Sequence, residues 1–533
     1  MTNIQILKPI KSIKSILTLT TASFALFAGE ALLAPQAAFA DDCLLDTNND
    51  GNADNNVDTD GGADSGGDDA RLACGVGAVA SGEESTAVGG FALADATAST
   101  ALGQNANATN INATAVGHSA QATQVNALAV GPFSVASGAS AIAIGTGSMA
   151  SGSAALTIGR SSVGSGASAT AVGSFSEATA HNASALGNSA QATGEGATAI
   201  GAGNLNFVSG STFLSEAARA EGEGSVALGG AVYEADATTL ITAGAFAAQD
   251  GAIAIGSGSV TGRTNDIVIG TNAASNNSNV SGSSIVIGGD SNDGDDLGAQ
   301  AGNFAVAIGG DAIASGQNAV AIGEGATSDQ LGTTSVGTSA MATGMDASAF
   351  GEFAEATEFR TSAIGNNAEA NANNSSAFGA SAQATGVRSS AFGAFSDATA
   401  DSATAIGRSA NASGVGSTAV GAGLNINESA RASGGGSVAL GGARYAADGT
   451  TLVFAGAESS GINAVAIGTG SVADGGNSIV LGRGANGSDN FDVAIGGDAN
   501  ASGGNSFALG RDTVASAGNA LSLIHISEPT RPY

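Results

Sequence analysis

The apolar and polar positions of this chain follow a short phrase. In "NAVAIG", residues 318–323, Val320 and Ile322 flank Ala321, and Gly323 follows. In the other copies the residue before the glycine is always apolar, and the residue two before it is nearly always Ala. This alternation has the period of a β-strand, in which successive side chains point to opposite faces. The phrase therefore predicts a short strand with apolar residues on one face and Ala on the other.

The phrase recurs with a fixed period. Its glycines are spaced by 14 residues from Gly89 to Gly201, from Gly309 to Gly421 and from Gly468 to Gly510. Five irregularly spaced copies bring the total to 27, and their glycines are Gly229, Gly256, Gly270, Gly288 and Gly441. Adding 220 to each glycine of the first run gives the second, which indicates a tandem duplication of a long block. A second short alternation follows each phrase, so every unit is expected to hold two strands and two turns.

Identical units at fixed spacing stack most simply as parallel coils, and the sequence predicts an all-β fold, a parallel β-solenoid of 14-residue coils. Each coil advances by about 4.8 Å, the spacing between strands. Such a thin coil buries little apolar area, so we expect oligomerisation to complete it. The Ala face is a candidate for the contact between chains, and the alternative is that Ala only fills a tight interior.

The pattern divides the chain into eight segments. They are 1–40, a signal peptide; 41–74, an acidic Asp/Asn/Gly-rich linker; 75–201, a first regular block; 202–308, irregular repeats with insertions; 309–421, a second regular block; 422–467, irregular repeats with insertions; 468–520, a third regular block; and 521–533, a tail. The tail breaks the repeat, because Ile524 stands where a phrase glycine is due. We expect the tail to be non-native, with a genuine short extension as the alternative.

The N-terminus predicts export, with signal cleavage after Ala40. All three lysines of the chain precede an apolar run, and Ala38 and Ala40 occupy the small-residue cleavage positions. A membrane anchor is the weaker alternative, because the run is short for a span and Glu30 interrupts its end. In an oxidising compartment Cys43 and Cys74, the only cysteines, are expected to form a disulfide, with two free thiols as the alternative.

The composition disfavours several classes of function. The chain has 83 Gly, no Trp and 4% aromatic residues, which argues against a thick conventional core. Its net charge of −31 disfavours nucleic acid as a partner. His118 and His181 lie in turn positions without Ser or Asp partners at a meaningful spacing, so we expect no enzymatic activity.

One acidic stretch resembles a metal loop. Asp46, Asn48, Asp50 and Asp54 match part of an EF-hand-type calcium loop, in which alternating oxygen ligands wrap the ion. The twelfth position should be acidic, but it is Val57. Calcium is therefore one expectation for this segment, and a flexible acidic spacer is the other.

The phrases "SVALG", "AVAIG" and "TAVG" with this period resemble the head repeats of trimeric autotransporter adhesins of the YadA-like type, over about residues 75–520. The resemblance implies a left-handed parallel β-roll, a homotrimer and a location on the outer surface of a Gram-negative bacterium. It also implies attachment to host matrix, cells or surfaces. The family's coiled-coil stalk and barrel anchor have no visible counterpart here.

The sequence leaves other functions open. A structural module for self-association, autoagglutination and biofilm is the main alternative to a surface adhesin that works by multivalent display. An ice-binding solenoid is disfavoured, because the Thr row three residues before the glycine is irregular. The insertions concentrate aromatic residues such as Tyr233 and Tyr445 and are candidate binding surfaces. Alternatively, they cover an edge or contact a neighbouring chain.

Overall fold

The protein is one continuous stack of parallel β-coils. The computed structural model describes residues 61–66, 70–203, 216–234, 240–275, 283–290 and 298–524. Among these residues there is no helix. Each coil contributes a three-residue strand, here called the A strand, that ends just before the phrase glycine. A two-residue strand, the B strand, begins four residues after that glycine. The predicted all-β parallel solenoid with two strands per coil is confirmed.

The strands form two long ladders. The A strands are Leu72–Cys74, Thr86–Val88, Thr100–Leu102, Thr114–Val116, Leu128–Val130, Ile142–Ile144, Leu156–Ile158, Thr170–Val172, Ser184–Leu186, Thr198–Ile200, Val226–Leu228, Ile253–Ile255, Ile267–Ile269, Ile285–Ile287, Val306–Ile308, Val320–Ile322, Thr334–Val336, Ser348–Phe350, Ser362–Ile364, Ser376–Phe378, Ser390–Phe392, Thr404–Ile406, Thr418–Val420, Val438–Leu440, Val465–Ile467, Ile479–Leu481, Val493–Ile495, Phe507–Leu509 and Leu521–Leu523. The B strands are Val79–Ala80, Leu93–Ala94, Asn107–Ala108, Gln121–Ala122, Val135–Ala136, Met149–Ala150, Val163–Gly164, Glu177–Ala178, Gln191–Ala192, Arg219–Ala220, Phe246–Ala247, Val260–Thr261, Ala274–Ser275, Gln300–Ala301, Ile313–Ala314, Thr327–Ser328, Met341–Ala342, Glu355–Ala356, Glu369–Ala370, Gln383–Ala384, Asp397–Ala398, Asn411–Ala412, Arg431–Ala432, Glu458–Ser459, Val472–Ala473, Asn486–Gly487, Asn500–Ala501 and Val514–Ala515.

The A ladder has 29 strands in the described part of the chain, two more than the phrases counted in the sequence. The additional strands are Leu72–Cys74, inside the segment predicted as a linker, and Leu521–Leu523, at the start of the predicted tail. At about 4.8 Å per strand, the ladder is about 130 Å long.

Neighbouring coils pair in parallel and in register. The strand Val320–Ile322 lies opposite Thr334–Val336, residue for residue. Pairing continues across the insertions, because Thr198–Ile200 pairs with Val226–Leu228 and Val438–Leu440 pairs with Val465–Ile467. The insertions therefore do not interrupt the ladder.

The interior of the solenoid is made mostly of alanine, so of the two alternatives for the Ala face the tight interior is confirmed and the outer contact surface is wrong. In the coil around Gly323, the side chains of Ala319, Ala321 and Ala326 have no solvent exposure. Val is the largest fully buried residue in the described chain. Only small side chains fit between two strands of the same narrow coil, so Ala lies inside and the bulkier apolar residues of each A strand lie outside.

Some of the hydroxyl groups that replace these methyl groups make hydrogen bonds to backbone carbonyls. The Oγ of Ser134 donates to the carbonyl of Gly131 at 2.8 Å, and the Oγ of Ser396 donates to that of Gly393 at 2.7 Å. The Oγ1 of Thr361 makes the same bond to the carbonyl three residues earlier. A buried hydroxyl that keeps a partner avoids the desolvation cost of an unpaired one, so these positions accept Ser or Thr in place of Ala. Other interior hydroxyls in the described coils are buried without a hydrogen-bond partner, including those of Ser85, Ser225, Ser389 and Ser478.

Two carboxylates also occupy interior positions. Asp266 and Asp492 are fully buried. The carboxylate of Asp266 accepts the N–H of Arg263 at 2.9 Å and both the N–H and the hydroxyl of Ser284 at 2.8 Å. Asp492 accepts the equivalent bonds from the N–H of Asp489 and from Ser506. Nothing in the sequence pattern singles out these positions, and the bonds to Ser284 and Ser506 link one coil to the next.

The phrase glycine is required by the approach of the next coil. Gly323 has a φ of +135°, and a Cβ there would lie 2.3 Å from the carbonyl oxygen of Gly337. Two residues later the chain makes a left-handed turn that tolerates side chains, such as Ser339 at φ +53° and Asn367 at φ +53°. Gly325 occupies that turn, and a Cβ there would meet only the Oγ of Ser339 at 3.6 Å.

Substituting the two glycines should therefore have opposite effects. We expect Gly323→Ala to destabilise its coil by about 2 kcal/mol or more, because strain at φ > 0 adds to a backbone clash. Gly325→Asn should be neutral or stabilising, because Asn tolerates this conformation and lowers the entropy of the unfolded chain. Hydrogen exchange of the amides of coils 306–337 measures both. Equal protection in the two variants would contradict this account of the glycine.

In two coils a larger interior side chain on the A strand faces a glycine on the B strand. Where the inner residue of the A strand is Val480, the facing B strand has Gly487, whose added Cβ would lie 2.8 Å from Val480 Cγ2. Thr157 faces Gly164 in the same way, at 2.9 Å from its Cγ2. In these two coils the interior volume is thus conserved by pairing one larger side chain with none.

Gly487→Ala alone should cost about 1–3 kcal/mol of stability through overpacking. Adding Val480→Ala should restore most of it, because Ala opposite Ala is the usual pair in the other coils. Chemical denaturation of the three variants measures the coupling between the two positions. Additive losses in the double variant would show that the two side chains do not compete for space.

Candidate interaction surfaces

The outer face of the A ladder is an unbroken apolar stripe, here called the A stripe. It consists of the last residue of each A strand from Val88 to Leu523, and all are apolar. Several are strongly exposed, including Leu102 at 45% and Ile406 at 41%. Phe378 and Phe392 stack face to face, with centroids 4.9 Å apart. Contiguous apolar surface on this scale marks an interaction site in a soluble protein.

The A stripe varies in width. In the middle of the chain the first residue of each A strand is also apolar, as in Ile267–Ile269 and Ile285–Ile287. From Thr334–Val336 to Thr418–Val420 that first residue is Ser or Thr in every coil. A row of hydroxyl groups therefore runs beside the apolar row in the second regular block.

The outer face of the B ladder is more polar than the A stripe. Gln383 donates to Glu369 of the adjacent coil at 3.0 Å, and Gln191 donates in the same way to Glu177 at 3.3 Å. Arg219 lies over the ring of Phe246, 4.6 Å from its centroid. Side chains that bond to their own neighbours along the ladder are suited to solvent, so the two faces of the solenoid differ in character.

Phenylalanines mark one corner of the coils, and all of them except Phe175 are exposed. Phe91, Phe133, Phe175, Phe353 and Phe395 all lie two residues after a phrase glycine, at φ between 55° and 59°. A bulky side chain is unusual in this conformation. In the first block each spacing is three coils, or about 14 Å. Some rings are covered from the preceding coil: Phe133 by an edge contact with His118, and Phe175 by a guanidinium 4.4 Å from its centroid.

Each of the two irregular regions carries an antiparallel hairpin. Val232–Tyr233 pairs with Leu240–Thr242, and Arg444–Tyr445 pairs with Leu452–Phe454. In both, a tyrosine hydroxyl donates to a glutamate that lies just before the preceding B strand, from Tyr233 to Glu216 at 2.5 Å and from Tyr445 to Glu428 at 2.8 Å. The hairpins are thus fixed against the neighbouring loop by the same bond.

The loop that precedes the second hairpin and contains Glu428 forms one wall of a groove on the solenoid surface. This groove is here called the 395–426 groove. Its volume is about 530 Å³, and it is lined by Ser381, Gln383, Phe395, Asp397, Arg408, Ser409, Leu424, Asn425 and Ile426. Leu424, Asn425 and Ile426 come from the loop, and the others lie on the coils beneath it. The N–H of Leu424 donates to the hydroxyl of Tyr445 at 2.6 Å, so the hairpin supports this wall.

Most of the predicted chemical sites lie outside the described residues. These are the signal cleavage site after Ala40, the cysteine Cys43, and the calcium ligands Asp46, Asn48, Asp50 and Asp54. Cys74 is at the outer end of the first A strand and is disulfide-bonded. In the described ranges no cluster of His, Cys, Asp or Glu has the arrangement of a metal site. Nor do these ranges contain a helix long and apolar enough to cross a membrane.

The coil geometry agrees with a known repeat. The family model of the YadA head domain repeat matches more than half of the chain. It covers residues 73–92, 80–106, 94–120, 108–134, 122–148, 165–190, 178–204, 247–273, 301–326, 356–382, 370–396, 398–423, 459–485 and 492–513. The chain belongs to the YadA head repeat family. No curated protein matches it.

The YadA head repeats account for the coils and not for the insertions. The matches stop at residue 204 and resume at 247, and they stop again at 423 and resume at 459. Both hairpins and the loop wall of the 395–426 groove fall in these gaps. The two hairpin insertions follow equivalent phrase glycines of the duplicated block, Gly229 in the first copy and Gly441 in the second.

The turn of the second hairpin should be sensitive to acid. The hydroxyl and N–H of Thr451 and the N–H of Thr450 donate to the carboxylate of Asp448, which lowers the pKa of Asp448 from 3.8 to about 2. Because the pKa is lowered in the folded chain, these bonds stabilise the turn above pH 3.8 and are lost as the pH falls through about 2. We expect the carboxyl carbon of Asp448 to titrate at about 2 in NMR spectra, together with the amides of Thr450 and Thr451.

Asp448→Asn is the control for this titration. The amide side chain keeps an oxygen acceptor but does not ionise in this range, so the shifts at Thr450 and Thr451 should disappear. A midpoint near 3.8 in the parent chain would contradict the turn bonding described above.

Proposed function

We propose that this chain is the head of a trimeric autotransporter adhesin and attaches a Gram-negative bacterium to host matrix, cells or surfaces. Membership of the YadA head repeat family supports this proposal. The role is non-catalytic. A rigid stack of about 130 Å presents many equivalent positions, and three copies of it would add weak contacts into strong attachment.

The A stripe is the observation that supports a homotrimer. A chain with an interior of Ala and Ser keeps its larger apolar side chains, such as Leu102 and Ile406, on its surface. Packing three stripes around one axis would bury them and would supply the apolar core that the single chain lacks. The outer faces of the B ladders, with their hydrogen-bonded polar side chains, would then face solvent.

The same proposal includes export and a position on the cell surface. The net charge of −31 keeps a long exposed head soluble. The acidic segment with Asp46, Asn48, Asp50 and Asp54 stays a prediction for calcium, and so does the pairing of Cys43 with Cys74.

The oligomeric state can be tested by charge placement. Ile308→Asp with Ile322→Asp puts two charges on the A stripe, and Ile313→Asp with Thr327→Asp puts the same charges on the B ladder of the same coils. In analytical ultracentrifugation we expect the parent chain and the B-ladder variant to have three times the mass of one chain. The A-stripe variant should shift to lower mass, because desolvating unpaired carboxylates is costly. A trimer that survives the A-stripe charges would place the interface elsewhere.

Attachment itself requires a second measurement. Beads coated with the trimer should adhere to immobilised extracellular matrix or cultured cells, and detachment should slow steeply with coating density, as multivalent binding predicts. Beads that clump with each other and adhere to nothing else would instead identify a self-association module for autoagglutination.

A further inference from the structure

The 395–426 groove combines an exposed aromatic ring with charged groups of both signs. Phe395 is 52% exposed and has no ring contact with another described side chain. It is held at φ +58°, where a bulky residue is disfavoured. Asp397 lies two residues further along, on the outer face of the B ladder. A strained, exposed ring beside a carboxylate is difficult to explain by the stability of the coil alone.

The guanidinium of Arg408 is available to a ligand. Arg408 is exposed and makes no ion pair with any described acidic residue. Asp397 is half-buried, and burial raises its pKa, while a hydrogen bond from Asn411 lowers it. The carboxylate and the guanidinium thus line one groove without pairing with each other.

The duplicated block provides an internal comparison. The counterparts of Phe395 and Asp397 are Phe175 and Glu177, so the ring and the acid are present in both copies. In the first block Arg160 covers the ring of Phe175 at 4.4 Å. In the second block that covering position is Ala380.

The second block instead has a basic residue in the coil after the ring of Phe395. Arg408 stands where the first block has Asn188. The second copy lacks the group that covers the ring and has a cation beside it. Of the two copies, only this one therefore presents both an uncovered ring and a cation to solvent.

We propose that the 395–426 groove binds a saccharide unit that carries a carboxylate, such as a uronic acid. The apolar face of a pyranose ring stacks on an aromatic side chain, here Phe395. Its hydroxyl groups donate to the carboxylate of Asp397, and its own carboxylate pairs with the guanidinium of Arg408. Leu424 and Ile426 close one side of the groove, and the amides of Gln383 and Asn425 add donors and acceptors.

The surrounding surface favours a saccharide over a peptide strand. Strands that bind peptides by β-augmentation need an unpaired edge, but each B strand beside the groove is paired on both sides, as Asp397–Ala398 is with Gln383–Ala384 and Asn411–Ala412. The groove is also supported from behind, because Tyr445 fixes the loop wall through Leu424 and Glu428. A preformed wall lowers the entropy cost of holding a small ligand.

The proposal rests on the proposed attachment function, because it names a ligand class for the adhesin. The probes are a hyaluronan tetrasaccharide, which alternates glucuronic acid with N-acetylglucosamine, and a chitin tetrasaccharide, which has N-acetylglucosamine alone. Saturation-transfer NMR on the purified full chain should show binding of the first, with an affinity about tenfold higher than for the second, since one charge-assisted pair is gained. The bead adhesion assay is separate, so adhesion without saccharide binding would overturn this inference and leave the proposed function intact.

Matched variants locate the site. Arg408→Gln should lower the affinity for the uronic-acid probe about tenfold and leave the neutral probe unchanged. Phe395→Asn should lower binding of the uronic-acid probe without loss of stability, because Asn suits φ > 0. Phe175→Asn, the same change in the first block, should have no effect. Overturning results are no saturation transfer to the uronic-acid probe, equal binding by Arg408→Gln, equal loss in Phe175→Asn, or an oligoglutamate that binds as tightly.

Discussion

The close stacking of one coil on the next determines the rest of the structure. Each phrase glycine lies so near the next coil that an added Cβ would touch its backbone, as Gly323 would touch Gly337. Within a coil the two strands are so close that the interior accepts methyl and hydroxyl groups and few side chains larger than Val. A polypeptide wound this tightly gains most of its order from backbone hydrogen bonds in two long ladders. Its own interior contributes less apolar burial per residue than an ordinary core does.

That constraint reverses the usual arrangement of large and small residues. Ordinary domains bury Val, Ile, Leu and Phe and leave smaller or polar residues outside. Here Ala321 is buried, while Val320 and Ile322 on either side of it face outward. The hydrophobic effect is therefore left unsatisfied in the single chain along one complete face. The described part of the B ladder has no unbroken apolar row, because polar side chains such as Gln383, which bonds to Glu369, interrupt it. This asymmetry links the narrowness of the coil to the proposed self-association.

The sequence predicted the coil well because the coil is periodic. The alternation in Val320–Ile322 and the spacing of 14 residues are sufficient to specify short parallel strands stacked in register. Alternation alone distinguishes two faces and does not tell which is inside, so it predicts no direction for Ala321. The pairing of bulk with glycine, as of Val480 with Gly487, bears on this direction, but it is visible in the sequence only once the two positions are known to face each other. The groove was beyond prediction, since its wall is an insertion of no regular period.

Regular coils and irregular insertions are suited to different kinds of binding. A surface that repeats every 14 residues presents the same contact many times, which suits packing against an identical chain or weak multivalent attachment. A small ligand needs several different groups converging on one place, and translation along the stack only brings similar groups together. The hairpin at Arg444–Tyr445 and the loop it supports break that translation. The exchange of Arg160 and Asn188 in one block for Ala380 and Arg408 in the other then makes two copies of one scaffold chemically distinct. Specificity in such a molecule is expected where the repeat fails, and duplication provides the freedom for one copy to change.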